Sequence, residues 1–127
     1  MKPPRSLKIT DLQIGIGREV VPGDVAVCHC RCTRRKGDLV FASAEQEPYV
    51  VRVGARDCCV GIEYGLLGMQ IGGRRTIQVP PNLTYTERKT YPDIPADAML
   101  IYEIELVDLR AKWDPEMENR LALKADE

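Results

Sequence analysis

Residues 61–81, GIEYGLLGMQIGGRRTIQVPP, constrain the fold more than any other stretch. Ile62, Leu66 and Met69 stand at i, i+4 and i+7, the spacing of one apolar helix face. Gly72-Gly73 then supplies the permissive backbone of a turn. Arg75, Ile77 and Val79 alternate with Thr76 and Gln78, which describes a strand. Pro80-Pro81 ends it, because a central strand cannot continue through two residues that lack a donor. Asp57 is placed to cap the helix. So short a helix, carrying Gly61, Gly65 and Gly68, is poor in isolation. Packing must hold it, most simply against the concave face of a sheet, which the glycines let it approach closely.

The flanking sequence supplies that sheet. Leu12, Ile14 and Ile16 alternate strictly, so a strand lies within residues 7–16. Pro22-Gly23-Asp24 is a turn. In residues 25–33, Ala26, Cys28, Cys30 and Cys32 take one face; Val25, Val27, His29 and Arg31 take the other. Gly37-Asp38 turns the chain into a short strand at 39–43, and Tyr49 to Val53 forms another. Residues 82–98 lack periodicity and read as a long loop, a length usually tied to function. Residues 99–109 form the cleanest strand, with Leu100, Tyr102, Ile104, Leu106 and Asp108 on the core side. Asp114 and Pro115 are placed as N-cap and N1 of a short terminal helix reaching about Lys124.

The connections are too short for crossovers except where the helix intervenes. The reading is α+β: a curved antiparallel sheet of five to six strands around one short helix. Residues 1–13 form an extension with the first strand, 14–109 the domain, and 110–127 a tail.

Composition narrows function by exclusion. The 127 residues suffice for one domain with a core. Eighteen basic residues stand against 19 acidic ones, so there is no basic surplus for nucleic acid. No apolar run reaches membrane length, and MKPPRSLK has no signal-peptide core. A cytoplasmic, monomeric protein is the expectation. Five cysteines, an odd number, argue against a disulfide framework. Cys28, Cys30 and Cys32 share a strand face, but thiols at i and i+2 stand about 7 Å apart. Zinc prefers cysteines spaced on a turn. No metal or other cofactor is expected.

The landmarks taken in order resemble the FKBP-type peptidyl-prolyl cis-trans isomerases, the tacrolimus-binding family. They are Gly15-Ile-Gly-Arg18, Pro22-Gly-Asp-Val-Ala-Val27 with His29, Phe41-Ala-Ser43 and Pro48-Tyr49. Gly61-Ile-Glu-Tyr-Gly65, Gly68-Met-Gln-Ile-Gly72, Arg74, Val79-Pro-Pro81 with Tyr85, Ile94-Pro95, Ala98-Met-Leu100 and Glu105-Leu106 complete them. The resemblance covers roughly residues 14–109. It implies an aromatic cup between helix and sheet that takes a substrate proline. Carried over by position, the cup is lined by Cys30, Phe41, Ala42, Tyr49, Cys58, Cys59, Ile62, Tyr85 and Tyr102.

The family's tryptophan floor is Ile62 here. Its tyrosine after the strand histidine is Cys30, and its acid after the phenylalanine is Ala42. Cys58-Cys59 replaces a valine-isoleucine pair, and Thr86 replaces the glycine after Tyr85. Taken singly, these residues are ordinary core positions.

The implied reaction rotates an X-Pro amide over a barrier of about 18–20 kcal/mol. It needs no nucleophile, because an apolar cup disfavours the dipolar planar amide relative to the twisted one. The Tyr85 hydroxyl and the Cys59 backbone N–H would hold substrate carbonyls, and Tyr102 completes the catalytic set. The expected partner is a proline-containing polypeptide. Activity should be modest and tacrolimus-type binding weak. A silent proline-peptide binding or chaperone-like module is the alternative on this fold, and a thiol or metal site the third.

Overall fold

Alternating apolar residues build the sheet, and the computed structural model describes residues 3–56 and 58–110 of it. The strands are β1 (Lys8–Gln13), β2 (Val25–Arg34), β3 (Leu39–Ala42), β4 (Tyr49–Arg52), β5 (Arg74–Val79) and β6 (Leu100–Arg110). Two short helices are present, α1 (Val60–Leu66) and α2 (Tyr85–Thr90), with a 3-10 turn at Pro81–Leu83. The strand order is β1-β5-β6-β2-β3, and β4 also pairs with β2, ahead of β3. Every pairing is antiparallel. The α+β architecture read from the sequence is therefore the one observed. Asp57 and the terminal helix expected from Asp114 lie outside the described residues.

The inward faces follow the period-two pattern. Ala26, Cys28, Cys30 and Cys32 are buried along β2, as are Leu100, Tyr102, Ile104 and Leu106 along β6. Asp108 departs from the pattern. Val27 pairs with Asp108 but Cys28 with Leu106, so Val107 is an extra residue in a β-bulge. The bulge flips the face: Asp108 is exposed, and Leu109 packs on the core instead.

A second bulge occurs in β1 between Asp11 and Gln13. Leu7 and Ile9 carry the inward side there, while Leu12, Ile14 and Ile16 are exposed. The strand read from their alternation stops earlier: β1 ends at Gln13, so only Leu12 lies in it, on the sheet's edge where one face meets solvent.

Helix α1 lies directly on β5 and β6. A Cβ built at Gly61 would stand 2.7 Å from a Tyr102 ring carbon and 2.9 Å from Val79 Cγ2. One at Gly65 would stand 2.7 Å from Ile77 Cδ1. Glycine is required at both positions by this approach. Ile62, Leu66 and Met69 are buried, as their spacing predicts.

Two buried charges fix the helix ends. Glu63 accepts hydrogen bonds from the backbone N–H groups of Gly54 (2.9 Å) and Arg56 (3.2 Å), holding the loop before the helix. Arg75 points inward from β5 and donates to the carbonyls of Gly65 (2.9 Å) and Leu67 (2.6 Å) and to Asp11 (2.7 Å). It satisfies carbonyls that the end of a helix leaves without partners.

Residues 82–98 hold more structure than their lack of periodicity suggests. Helix α2 is too short to show a period, and its start is marked instead by Thr84-Tyr85-Thr86-Glu87, a capping-box spacing. No side-chain cap forms. The Thr84 hydroxyl donates to the Pro81 carbonyl, and Glu87 turns into the domain.

Candidate functional site

The sheet sends Cys30, Phe41, Tyr49 and Tyr102 toward Cys59 and Ile62 at the start of α1. Four strands and one helix thus converge on a single apolar cluster. Phe41 is its hub, with ring centroids 6.3 Å from Tyr49 and 5.9 Å from Tyr102, both in tilted or edge arrangements. These geometries suit the aromatic quadrupole. Cys30, Cys59 and Ile62 are buried, and Tyr102 is fully so.

Two residues that sequence reasoning did not single out close this cluster. Tyr91, just past α2, stacks on Phe41 at 5.6 Å with the rings 10° from parallel. Glu87, from α2, is only 3% exposed and reaches Tyr102. The Tyr102 hydroxyl lies 2.8 Å from Glu87 Oε2 and 3.2 Å from Cys59 Sγ. It has one hydrogen, and the closer, charge-bearing carboxylate claims it. The contact with Cys59 is then from the thiol to the phenol oxygen. The length of the loop and its Thr-x-x-Glu spacing were the available signals. Neither could reveal that the glutamate folds inward.

The remaining expected residues lie apart from the closed cluster. Tyr85 is half exposed. With Arg56, Cys58, Val60, Glu63, Tyr64 and Thr86 it lines a cavity of about 310 Å³ at the rim. Cys58 is partly buried there, while its neighbour Cys59 points to Tyr102. Ala42 does not join the interior. It pairs with Arg31, is exposed, and lines an outer groove that also includes His29, Ser43 and Glu105. In that groove His29 Nδ1 and Ser43 Oγ are 2.9 Å apart, and the same Oγ accepts the Cys30 N–H. These bonds tie β2 to the end of β3 and give the histidine a structural role.

Electrostatically the cluster disfavours charge. Burial pushes the Cys28 and Cys32 thiols up to about 12, and Cys30 is raised by the same cause. Burial likewise raises Tyr102 and lifts Glu87 above the ordinary carboxylate range. Cys58 and Cys59 behave as a pair. The hydrogen bond between them raises the Cys58 thiol and lowers that of Cys59. Among the described residues, no group of three or more histidine, cysteine or acidic side chains is arranged to hold a metal. No described helix is long and apolar enough to cross a membrane.

Comparison with known proteins bears on this geometry. Residues 17–107 match the family described as FKBP-type peptidyl-prolyl cis-trans isomerase. The chain is 35% identical over 106 residues to FK506-binding protein 4 of Chaetomium thermophilum, covering 84% of this chain and 22% of that protein. It is 35% identical over 112 residues to FK506-binding protein 2 of Kluyveromyces lactis, covering 81% of this chain and 80% of that one. The crystal structure of AtFKBP13 superposes with a TM-score of 0.72 at 26% identity, covering 85% of this chain and 96% of the other. The chain spans about a fifth of the length of the FK506-binding protein 4 relatives it matches. A match over most of the chain, a shared fold and the aromatic cluster at the start of α1 together make this chain a member of the FKBP-type peptidyl-prolyl cis-trans isomerase family.

Proposed function

We propose that this domain accelerates cis–trans exchange at X-Pro bonds of polypeptides, with modest activity. The observation that carries the reading is the convergence of Phe41, Tyr49 and Tyr102 on Cys59 and Ile62, within a family-matched domain. A proline ring against these rings leaves water. The planar amide, with its larger dipole, loses more hydration than the twisted one, so rotation becomes easier. The Tyr85 hydroxyl and the Cys59 N–H are the groups assigned to hold substrate carbonyls. Ile62 offers less flat surface than an indole, which supports modest activity and weak binding of tacrolimus-type ligands. Five reduced thiols support a cytoplasmic setting, and the balanced charge supports a partner that is polypeptide rather than nucleic acid. A monomer is the simplest state consistent with this reading.

A second reading has its own support. Tyr91 lies over the cluster by stacking on Phe41, and a peptide must displace it to reach the rings beneath. That closure favours a silent module that binds proline peptides at the rim beside Tyr85. Exchange spectroscopy on a short X-Pro peptide separates the two. Faster exchange at micromolar protein is expected for the isomerase. Binding with the uncatalysed rate, tens to hundreds of seconds, identifies the silent module.

A further inference from the structure

Glu87 is the feature that cup and fold leave unexplained. Its side chain enters an apolar cluster, where a carboxylate is costly unless all its lone pairs are used. Oε2 is satisfied by Tyr102. Oε1 is equally buried and has no partner among the described residues. The carboxyl is buried against the Tyr102 hydroxyl, which also lies 3.2 Å from Cys59 Sγ, so it borders the same aromatic cluster. Arg88 does not neutralise it by contact; its guanidinium reaches the Pro81 carbonyl instead.

We propose that Glu87 is a specificity-determining residue whose Oε1 accepts a hydrogen bond from the bound prolyl peptide. The chemistry selects the donor. Proline has no N–H of its own, so the nearest donor on the substrate is the backbone N–H of the residue after it. A peptide presenting that N–H completes the carboxylate's bonding. A ligand presenting only carbonyl or ester oxygens there faces an acceptor with an acceptor. Sites built to pair with a donor reject analogues lacking it more strongly than apolar pockets reject a missing methylene.

This inference rests on the isomerase reading only in taking the cup as the place where proline binds. The test compares an X-Pro-Y peptide with its depsipeptide, in which the N–H after proline is replaced by an ester oxygen. Affinity is measured by calorimetry and exchange rate by NMR, on wild type and on Glu87→Ala and Glu87→Met. The methionine variant keeps the volume and removes the acceptor, so the test survives collapse of the alanine variant. Wild type should prefer the amide by on the order of tenfold, and the variants should lose that preference to within about twofold. Equal handling of the two ligands by wild type, or an undiminished preference in both variants, overturns the proposal. The two readings fail separately. An affinity preference with no rate enhancement removes the isomerase and keeps the role of Glu87. Catalysis without preference does the reverse.

Discussion

Replacing Gly61 by alanine tests the central packing relation, helix against sheet. The new methyl carbon would stand 2.7 and 2.8 Å from Cε2 and Cδ2 of Tyr102 and 2.9 Å from Val79 Cγ2. Carbon atoms pack best at about 3.5–4.0 Å, so the helix must lift or the ring must move by up to an ångström. The ring has little room, since its edge meets Phe41 and its hydroxyl is held by Glu87. Overpacking of this kind costs about 1–3 kcal/mol. Alanine returns up to about 1 kcal/mol through helix propensity. The net expectation, about 1–2 kcal/mol of lost stability, lowers Tm by roughly 4–10 °C in a domain of this length. Calorimetry checks the melting point, and urea titration checks that the m-value is unchanged. The Tyr102–Glu87 hydrogen bond should weaken with it, seen as faster exchange of the hydroxyl proton. A variant as stable as wild type, or more so, would refute the close approach of α1.

Glu87→Gln should raise Tm at neutral pH. Burial lifts the folded carboxyl above its unfolded value, so the stability it permits is present in full below pH 4.5 and is lost as pH rises through the folded value. The advantage of the amide should therefore shrink on acidification, and a constant difference from pH 3 to 7, roughly, would count against a buried ionisable group. Arg75→Met keeps the apolar stem and strips the Gly65 and Leu67 carbonyls of their donor. A loss of about 2–4 kcal/mol in urea unfolding is expected. Native thiol titration near neutral pH should find Cys28, Cys30 and Cys32 unreactive until the chain unfolds, since burial raises all three. Prompt labelling of a β2 cysteine would show that the sheet face is open.

How much was legible in the chain depends on how local each cause is. The α1 face, the β2 cysteine face and the β5 alternation are set by side-chain period, and sequence alone determined them. The inward residues of β6 follow as far as Leu106 for the same reason. The glycines at 61 and 65 announced a close approach before the partner rings were known. The order of landmarks carried the family and, through it, Phe41, Tyr49, Ile62 and Tyr102 as neighbours.

Tertiary structure decided what depends on register and on the second side of a contact. The bulge at Val107 exchanges Asp108 for Leu109, because one extra residue inverts every side chain beyond it. Leu12, Ile14 and Ile16 lie outside because Leu7 and Ile9 already hold the inward side and β1 ends at Gln13. Ala42 faces outward because it pairs with Arg31. Above all, Glu87 and Tyr91 come from a stretch without periodicity, and their local sequence suits a solvated helix. Glu87 is drawn inward by Tyr102, and Tyr91 is laid over Phe41 at the surface, both partners standing on remote strands. Helical period tells which way a side chain leaves its own helix; only the folded sheet supplies the hydroxyl and the ring that it meets.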